Sequence, residues 1–395
     1  MAIDLPLSEA FKEFAASGKA GGAVLIFCTL ASLVLANSPL GHAYLDVWHL
    51  PLAGLSIENW INDALMAVFF LLIGLELKRE LRNGELSDLK NATLPIVAAA
   101  GGIVVPACIH FSMNHGTPAQ AGLGIPMATD IAFALGVLAL LGNRVPASLK
   151  IFLTALAVMD DLGAIVVIAL FYTAQLSIGY LAAALAVFVL LAGLNRLGRV
   201  RSLPLYLAGG ALMWFFMLKS GVHATIAGVL LAFALPDAAT RDAPSLSDRL
   251  EHVLHKPVAF AILPIFALAN TGVVIGPGWA QALVSSNSLG IVLGLAVGKP
   301  VGIVAATAAA VATGLCRLPS DLAWRHVLGA GLLGGIGFTM SIFITNLAFG
   351  DQAGVVTASK MAILLASLAS GLAGFAWLNW HGAPLAAGAD RDTSA

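Results

Sequence analysis

Apolar residues in this chain neither alternate nor recur once per helical turn; they run in long unbroken stretches. Twelve such stretches lie near 21–36, 59–77, 94–113, 122–141, 151–172, 178–194, 203–218, 221–235, 257–275, 289–315, 327–349 and 361–380. A segment that is apolar all round and roughly 20 residues long is expected to cross a bilayer as a helix. Several stretches are short by that rule, notably the eighth, as expected where neighbours are tilted or broken. Between the first two, residues 45–50 and 52–57 flank Pro51 and Gly54, a pattern open to a small β-hairpin or to a plain loop. The expected fold class is all-α, a polytopic membrane protein of about twelve spans forming a single domain over 1–395. Its ordered core is expected at about 10–380, with a disordered Gly/Ala/Asp-rich cytoplasmic tail over 382–395.

Composition agrees with the pattern. The chain is 59% hydrophobic and 10% charged, whereas a soluble chain is about a quarter charged. A net charge of −1 offers no basic surface, so membrane lipid is the expected partner and nucleic acid is not. Cys28, Cys108 and Cys316 are far apart and odd in number, which suits neither a disulfide framework nor a zinc site. The N-terminal stretch carries Asp4, Glu9, Lys12, Glu13 and Lys19 without an apolar core, so no cleaved signal is expected and the first stretch should remain as a span.

Lysine and arginine orient the spans. With the N-terminus inside, the ends carrying Lys12, Lys19, Lys78, Arg79, Arg82, Lys90, Arg144, Lys150, Arg196, Arg199, Arg201, Arg241, Arg249, Lys256, Arg317, Arg325 and Arg391 share one side. Only Lys219 and Lys360 fall opposite, and Lys299 lies within a span. The positive-inside rule then places both termini in the cytoplasm of a multi-pass inner-membrane protein.

Four charges sit where charge is costly. Asp130 lies about midway along span 4, Asp160 and Asp161 midway along span 5, and Lys299 midway along span 10. Each costs at least ~2.5–3.5 kcal/mol to insert, and at a rise of about 1.5 Å per residue all four reach similar depth. Carboxylates suit a hard cation such as Na+ or Li+. Asp160 and Asp161 point about 100° apart on a helix. They can flank an ion, or one can bind it while the other pairs with Lys299. Two carboxylates so close resist double ionisation, so without a cation one should hold a proton near neutral pH. A site that takes either a proton or a cation is the core of an exchanger; structural salt bridges between helices would use the same residue types.

Broken helices point the same way. Pro126 precedes Asp130 and lacks an N–H. Span 11 contains Gly334-Gly335-Ile336-Gly337, which weakens a helix or allows close packing. Spans 4 and 11 are the centres of spans 3–5 and 10–12 and cross in opposite directions. Interrupted helices in inverted halves are the sequence pointer to a secondary transporter's site.

Seven strings carry a family resemblance: Ala128-Thr129-Asp130-Ile131-Ala132-Phe133, Asp160-Asp161-Leu162-Gly163-Ala164-Ile165, Gly298-Lys299-Pro300, Gly335-Ile336-Gly337-Phe338-Thr339, Gly74-Leu75-Glu76-Leu77-Lys78-Arg79-Glu80, Lys219-Ser220-Gly221-Val222-His223 and Leu250-Glu251-His252-Val253-Leu254-His255. With these strings running in order along the chain, over roughly 10–380, it resembles the NhaA family of Na+/H+ antiporters, itself an established inverted-repeat architecture. The resemblance implies that Asp160 and Asp161 bind Na+ or Li+ in exchange for protons. It implies that Thr129 and Asp130 are the broken-helix residues beside that site and that Lys299 compensates the carboxylates. It further implies that Glu76, Arg79, Glu80, Glu251, His252 and His255 form a cytoplasmic pH-response cluster modulated by His223, with Asp63 in a minor role. The first outer loop corresponds to the place where the family builds a homodimer hairpin. The implied function is electrogenic exchange of cytoplasmic Na+ or Li+ for external protons, activated at alkaline pH and serving sodium and pH homeostasis. No cofactor and no enzymatic activity are implied; the cargo is Na+, Li+ and H+.

From the residues alone, Glu76, Lys78, Arg79 and Glu80 are equally ordinary interfacial anchors, and His252 and His255 equally a solvated helix turn. Rival classes remain at this stage. A sodium-coupled organic-anion symporter could use crossed helices. An intramembrane aspartyl protease needs two facing carboxylates without a competing ammonium, which Lys299 opposes. A channel would want a pore-lining ring.

Overall fold

The structure, a computed structural model, describes residues 9–84, 87, 89–172, 176–197, 202–237, 245–350 and 352–382. Arg199, Arg201, Arg241, Arg391 and the expected tail beyond residue 382 lie outside the described residues. Along the chain the helices are α1 (Glu9–Ala36), α2 (Gly41–His49), α3 (Ile57–Asn83), α4 (Leu89–Asn114), α5 (Ile131–Leu141), α6 (Ala147–Phe171), α7 (Ile178–Arg196), α8 (Leu203–Ser220) and α9 (Ile226–Ala234). They continue as α10 (Leu246–Asn270), α11 (Trp279–Leu283), α12 (Ser286–Ala312), α13 (Trp324–Gly334), α14 (Phe338–Phe349) and α15 (Ala353–His381).

Among the described residues, 9 helices are long and apolar enough to cross a membrane, or up to 11 if each of two bent pairs is one span. The expected twelve exceeds this because 221–235 holds only the nine-residue α9. At about 1.5 Å per residue it falls far short of a hydrocarbon core of about 30 Å.

The connection after α1 also differs from expectation. Residues 45–49 belong to a helix, α2, which bends 114° from α1. The hairpin is smaller and later: β1 (Pro51–Leu52) pairs antiparallel with β2 (Leu55–Ser56), Leu52 opposite Leu55. Ala53 (φ 49°) and Gly54 (φ 89°) make its two-residue turn, the left-handed pair that matches strand twist. Two residues per strand leave too little ladder for the longer pattern read from 45–57.

The chain forms two compact units, one of residues 1–84 and 165–276, the other of 85–164 and 277–395. In the first, Leu71 and Leu75 of α3 pack with Tyr206, Met213 and Met217 of α8 and Leu231 of α9. There α7 buries only Ala184 and Leu191 and exposes Tyr180, Leu185, Val189 and Leu190. An apolar outer face is what lipid as solvent requires.

In the second unit α4 packs along α12, and glycine decides how closely. A Cβ on Gly101 would lie 2.2 Å from the Gly302 carbonyl oxygen, and one on Gly302 2.2 Å from that of Gly101. Small residues at such contacts let backbones touch where packing alone drives association. Within α12, Gly294–Gly298 is a π-helical stretch. Pro300, next after Lys299, has no N–H for the bond to residue 296, and the widened turn absorbs that loss. The distortion sets the position from which Lys299 leaves the backbone.

Candidate functional site: a buried carboxylate and ammonium at two crossed helix breaks

Pro118–Met127 is a 3-10 helix containing Pro126. The backbone is extended at Ala128 (φ −85°, ψ 154°) and Asp130 (φ −75°, ψ 99°), and α5 starts at Ile131. The second break separates α13 from α14, which are bent by 45°. Both interruptions anticipated at Pro126 and at the glycines of span 11 are present.

Each break frees backbone groups that lipid cannot satisfy, and the two breaks satisfy one another. Asp130 N–H donates to the Ile336 carbonyl at 2.6 Å. Asp130 Oδ1 accepts from Phe133 N–H at 2.9 Å, capping α5. Its Oδ2 accepts from Thr339 N–H at 3.1 Å and from Thr339 Oγ1 at 2.5 Å, capping α14. One carboxylate thus faces two helix N-termini, where negative charge is favoured. Phe338 N–H donates to Ser367 Oγ at 3.1 Å, and Ser341 Oγ donates to the Ile125 carbonyl at 2.6 Å. A Cβ on Gly335 would lie 2.5 Å from the Leu295 carbonyl oxygen and 2.7 Å from Ser370 Oγ, so only glycine fits this crossing.

Beside the crossing lie Asp160, Asp161 and Lys299, all 0% exposed. Lys299 Nζ donates to Asp160 Oδ2 in a short ion pair and to Thr129 Oγ1 at 2.5 Å. Thr129 Oγ1 lies 2.6 Å from Asp160 Oδ2 and 2.9 Å from the Gly334 carbonyl, so its one proton has two acceptors. Asp160 Oδ1 has no hydrogen-bond partner among the described residues. A Cβ on Gly102 would stand 3.7 Å from that oxygen. Asp161 follows on α6, turned about 100° away.

The structure therefore brings Thr129, Asp160 and Lys299 into contact, with Asp161 adjacent in sequence. Asp130 bonds elsewhere: it holds the crossing. Thr339, Ser341 and Ser367 were not singled out from the sequence. Hydroxyl residues flanking a glycine-rich break are the signal that could have found the first two; Ser367 left none.

The second set of expected residues gathers in the other unit, where α3 meets α10. Arg79 makes a short ion pair with Glu251 and a second with Glu80 at 3.1 Å. His255 Nε2 lies 3.6 Å from Glu76 Oε1 and 3.7 Å from Glu251 Oε1. Glu76 and Glu251 are buried. His252 is exposed and stands outside this group, because Glu251 and His255 stack at i, i+4 while His252 is turned about 100° from Glu251. His223 immediately precedes α9 in the chain. Asp63 is half-buried in the π-helical stretch Trp60–Leu65. Lys78, read only as an anchor, is buried and donates to the carbonyls of Ala232 (2.9 Å) and Leu235 (2.6 Å). It also pairs with Asp237 at 2.8 Å. It caps the C-terminal end of α9, where a cation is favoured.

Comparison with known proteins places these features among relatives. A family model described as Na+/H+ antiporter 1 matches residues 12–378. A protein of Dechloromonas aromatica named Na(+)/H(+) antiporter NhaA is 68% identical over 375 residues, covering 95% of this chain and 96% of its own. One of the same name from Cytophaga hutchinsonii is 57% identical over 374 residues, covering 95% and 96%. Another, from Mesorhizobium japonicum, is 49% identical over 389 residues, covering 97% of each chain.

Proposed function

Because this chain belongs to the Na+/H+ antiporter 1 family, a family of integral-membrane transporters and not of enzymes, we propose that its Na+/H+ exchange runs through Asp160 and Asp161. Cytoplasmic Na+ or Li+ leaves, and external protons enter. The observation that carries this reading is the fully buried Asp160, which shares one oxygen with Lys299 and Thr129 and keeps the other without a hydrogen bond.

The chemistry follows from that arrangement. A carboxylate buried as fully as Asp160 must either take a proton or have a countercharge. The Lys299 ammonium supplies it when no Na+ is present. An arriving Na+ is an equivalent countercharge for the same carboxylate, and oxygen ligands suit it. Asp160, Asp161 and the Thr129 hydroxyl offer those oxygens. With Na+ bound the Lys299 ammonium is surplus, so protons leave, from the carboxylates or from Lys299. Asp130 holds the two breaks and so keeps the Thr129 hydroxyl and Gly334 carbonyl in place.

Two protons per cation is the proposed count, from either two carboxylates or one carboxylate and Lys299. The group of Glu76, Arg79, Glu80, Glu251 and His255, together with His252 and His223 as the resemblance implies, is proposed to raise activity at alkaline pH. Histidine titrates in the range such a switch needs. Both termini are assigned to the cytoplasm of the bacterial inner membrane by the Lys/Arg bias. The hairpin Pro51–Ser56 is the proposed homodimer contact. Export of Na+ with proton entry suits sodium and pH homeostasis.

The test is internal pH in proteoliposomes after a Na+ pulse. Wild type should acidify or alkalinise its lumen according to the Na+ gradient. Asp160→Asn and Asp161→Asn should insert and fold yet give no response. Full antiport by either variant at saturating Na+ would overturn the assignment.

A further inference from the structure

Glu76, Glu251 and His255 offer three ligand atoms that all lie within 4.8 Å of one another. We propose that they form a binding site for a divalent transition-metal ion, Zn2+ by preference, which clamps α3 to α10. None of the three is a transport carboxylate, and metal binding by them requires no pH response.

The distances carry the inference. His255 Nε2 to Glu76 Oε1 is 3.6 Å and to Glu251 Oε1 is 3.7 Å. Both are too long for hydrogen bonds. Both are close to the edge of a zinc tetrahedron, since two ligands each about 2.0–2.1 Å from the metal stand roughly 3.3 Å apart. A shift of a few tenths of an ångström brings His255 to that separation from each carboxylate, and the two carboxylates already lie within 4.8 Å of one another. Glu76 is an independent pointer: it is 7% exposed, makes no hydrogen bond among the described residues, and has the His255 ring as its nearest ionic partner. A carboxylate buried in this way has an ionic neighbour but no hydrogen bond among the described residues, fewer partners than a buried charge requires.

Charge and ligand type agree. Glu76, Glu80 and Glu251 are opposed locally by Arg79, leaving two negative charges when His255 is neutral, as a metal-bound imidazole must be. A divalent ion balances them. Na+, the cargo, prefers oxygen alone; an imidazole nitrogen with carboxylates selects zinc and its neighbours. Arg79 already donates to Glu251 Oε1. That oxygen has a second lone pair for a metal, and Arg79 then becomes the outer partner that orients the ligand. Because α3 supplies Glu76 and α10 supplies the other two, the bound ion ties the helices together and should stabilise the folded protein.

The experiment uses the full-length protein in detergent, stripped with a chelator and titrated with Zn2+ by calorimetry, with thermal unfolding followed in parallel. One Zn2+ per chain and a rise in melting temperature reversed by chelator are expected. Glu251→Gln and His255→Ala should each weaken Zn2+ by more than about tenfold, since loss of even an outer partner costs 10–100-fold. Asp160→Asn should bind Zn2+ as wild type does, which separates this site from the transport site. The wild-type protein loaded with Co2+ gives a second readout that needs no variant: intense absorption bands of a tetrahedral or five-coordinate ion are expected. Zn2+ uptake that is unchanged in Glu251→Gln and His255→Ala, or a Co2+ spectrum like that of the aqueous ion, would overturn the proposal. So would a loss of binding in Asp160→Asn alone.

Discussion

Asp130 and Asp160 are both buried carboxylates near one crossing, yet their partners give them different work. Asp130 accepts from Phe133 N–H, Thr339 N–H and the Thr339 hydroxyl, which fills its capacity with neutral donors at two helix ends. Asp130→Ala leaves those donors buried and unmet, at about 1–3 kcal/mol each. Asp130→Asn keeps one acceptor oxygen. A clear fall in melting temperature for the alanine variant and a smaller one for asparagine are expected in detergent; equal, negligible falls would count against the capping role. Asp160 instead meets a charge. Lys299→Ala removes that charge and leaves a buried carboxylate unbalanced, which typically costs about 3–5 kcal/mol. Lower thermal stability and an altered pH profile of exchange are expected. An unchanged melting curve and profile would make Lys299 a bystander. The choice of Asp160 over Asp161 as its partner was not legible in the sequence. Two neighbours on one helix differ only in direction, and direction acquires meaning only when α12 is packed in place.

Elements show where local pattern suffices and where packing overrides it. The two breaks were legible because Pro126 and Gly334-Gly335-Ile336-Gly337 act on the backbone directly. The need for glycine is steric as well as local. Gly335→Ala would press a methyl against the Leu295 carbonyl and Ser370, whereas a Cβ on Gly371 meets Ile336 at an ordinary 3.5 Å. Gly335→Ala should therefore unfold at lower temperature and lose exchange, with Gly371→Ala close to wild type; equal behaviour would remove the steric argument. Lys78 was not legible as a cap, because the carbonyls it meets belong to α9, some 150 positions on. His252 lies off the contact for a related reason. Spacing i, i+3 suggests a shared face with His255, but the partner across the contact is met by the i, i+4 pair Glu251 and His255. The helix α2 was missed because its nine residues follow a bend that the apolar pattern does not mark.

For the whole molecule, the solvent explains most of what could be read in advance. Lipid demands helices with satisfied backbones, so span positions followed from apolar runs alone. It also makes every buried charge conspicuous, which is why Asp130, Asp160, Asp161 and Lys299 stood out before any geometry was known. Hydropathy reads twelve apolar runs, and one of them holds the nine-residue α9. The proposed count of two protons per cation has an energetic consequence at this scale. Two protons in for one cation out moves one net charge, worth about 2.3 kcal/mol per 100 mV. Clamping the potential in proteoliposomes with valinomycin and K+ should then speed or slow Na+-driven proton movement according to its sign. An exchanger indifferent to the clamp would be electroneutral.

The central claim is that the same buried carboxylates hold either protons or a cation, and proton release on Na+ binding tests it most directly. Calorimetric titration of the purified protein with Na+, repeated at one pH in buffers of different ionisation enthalpy, counts the protons released per ion bound. Between one and two protons per Na+ are predicted for wild type, with Na+ binding and proton release lost together in Asp160→Asn and Asp161→Asn. Na+ binding without proton release, or release that persists in both variants, would contradict the account.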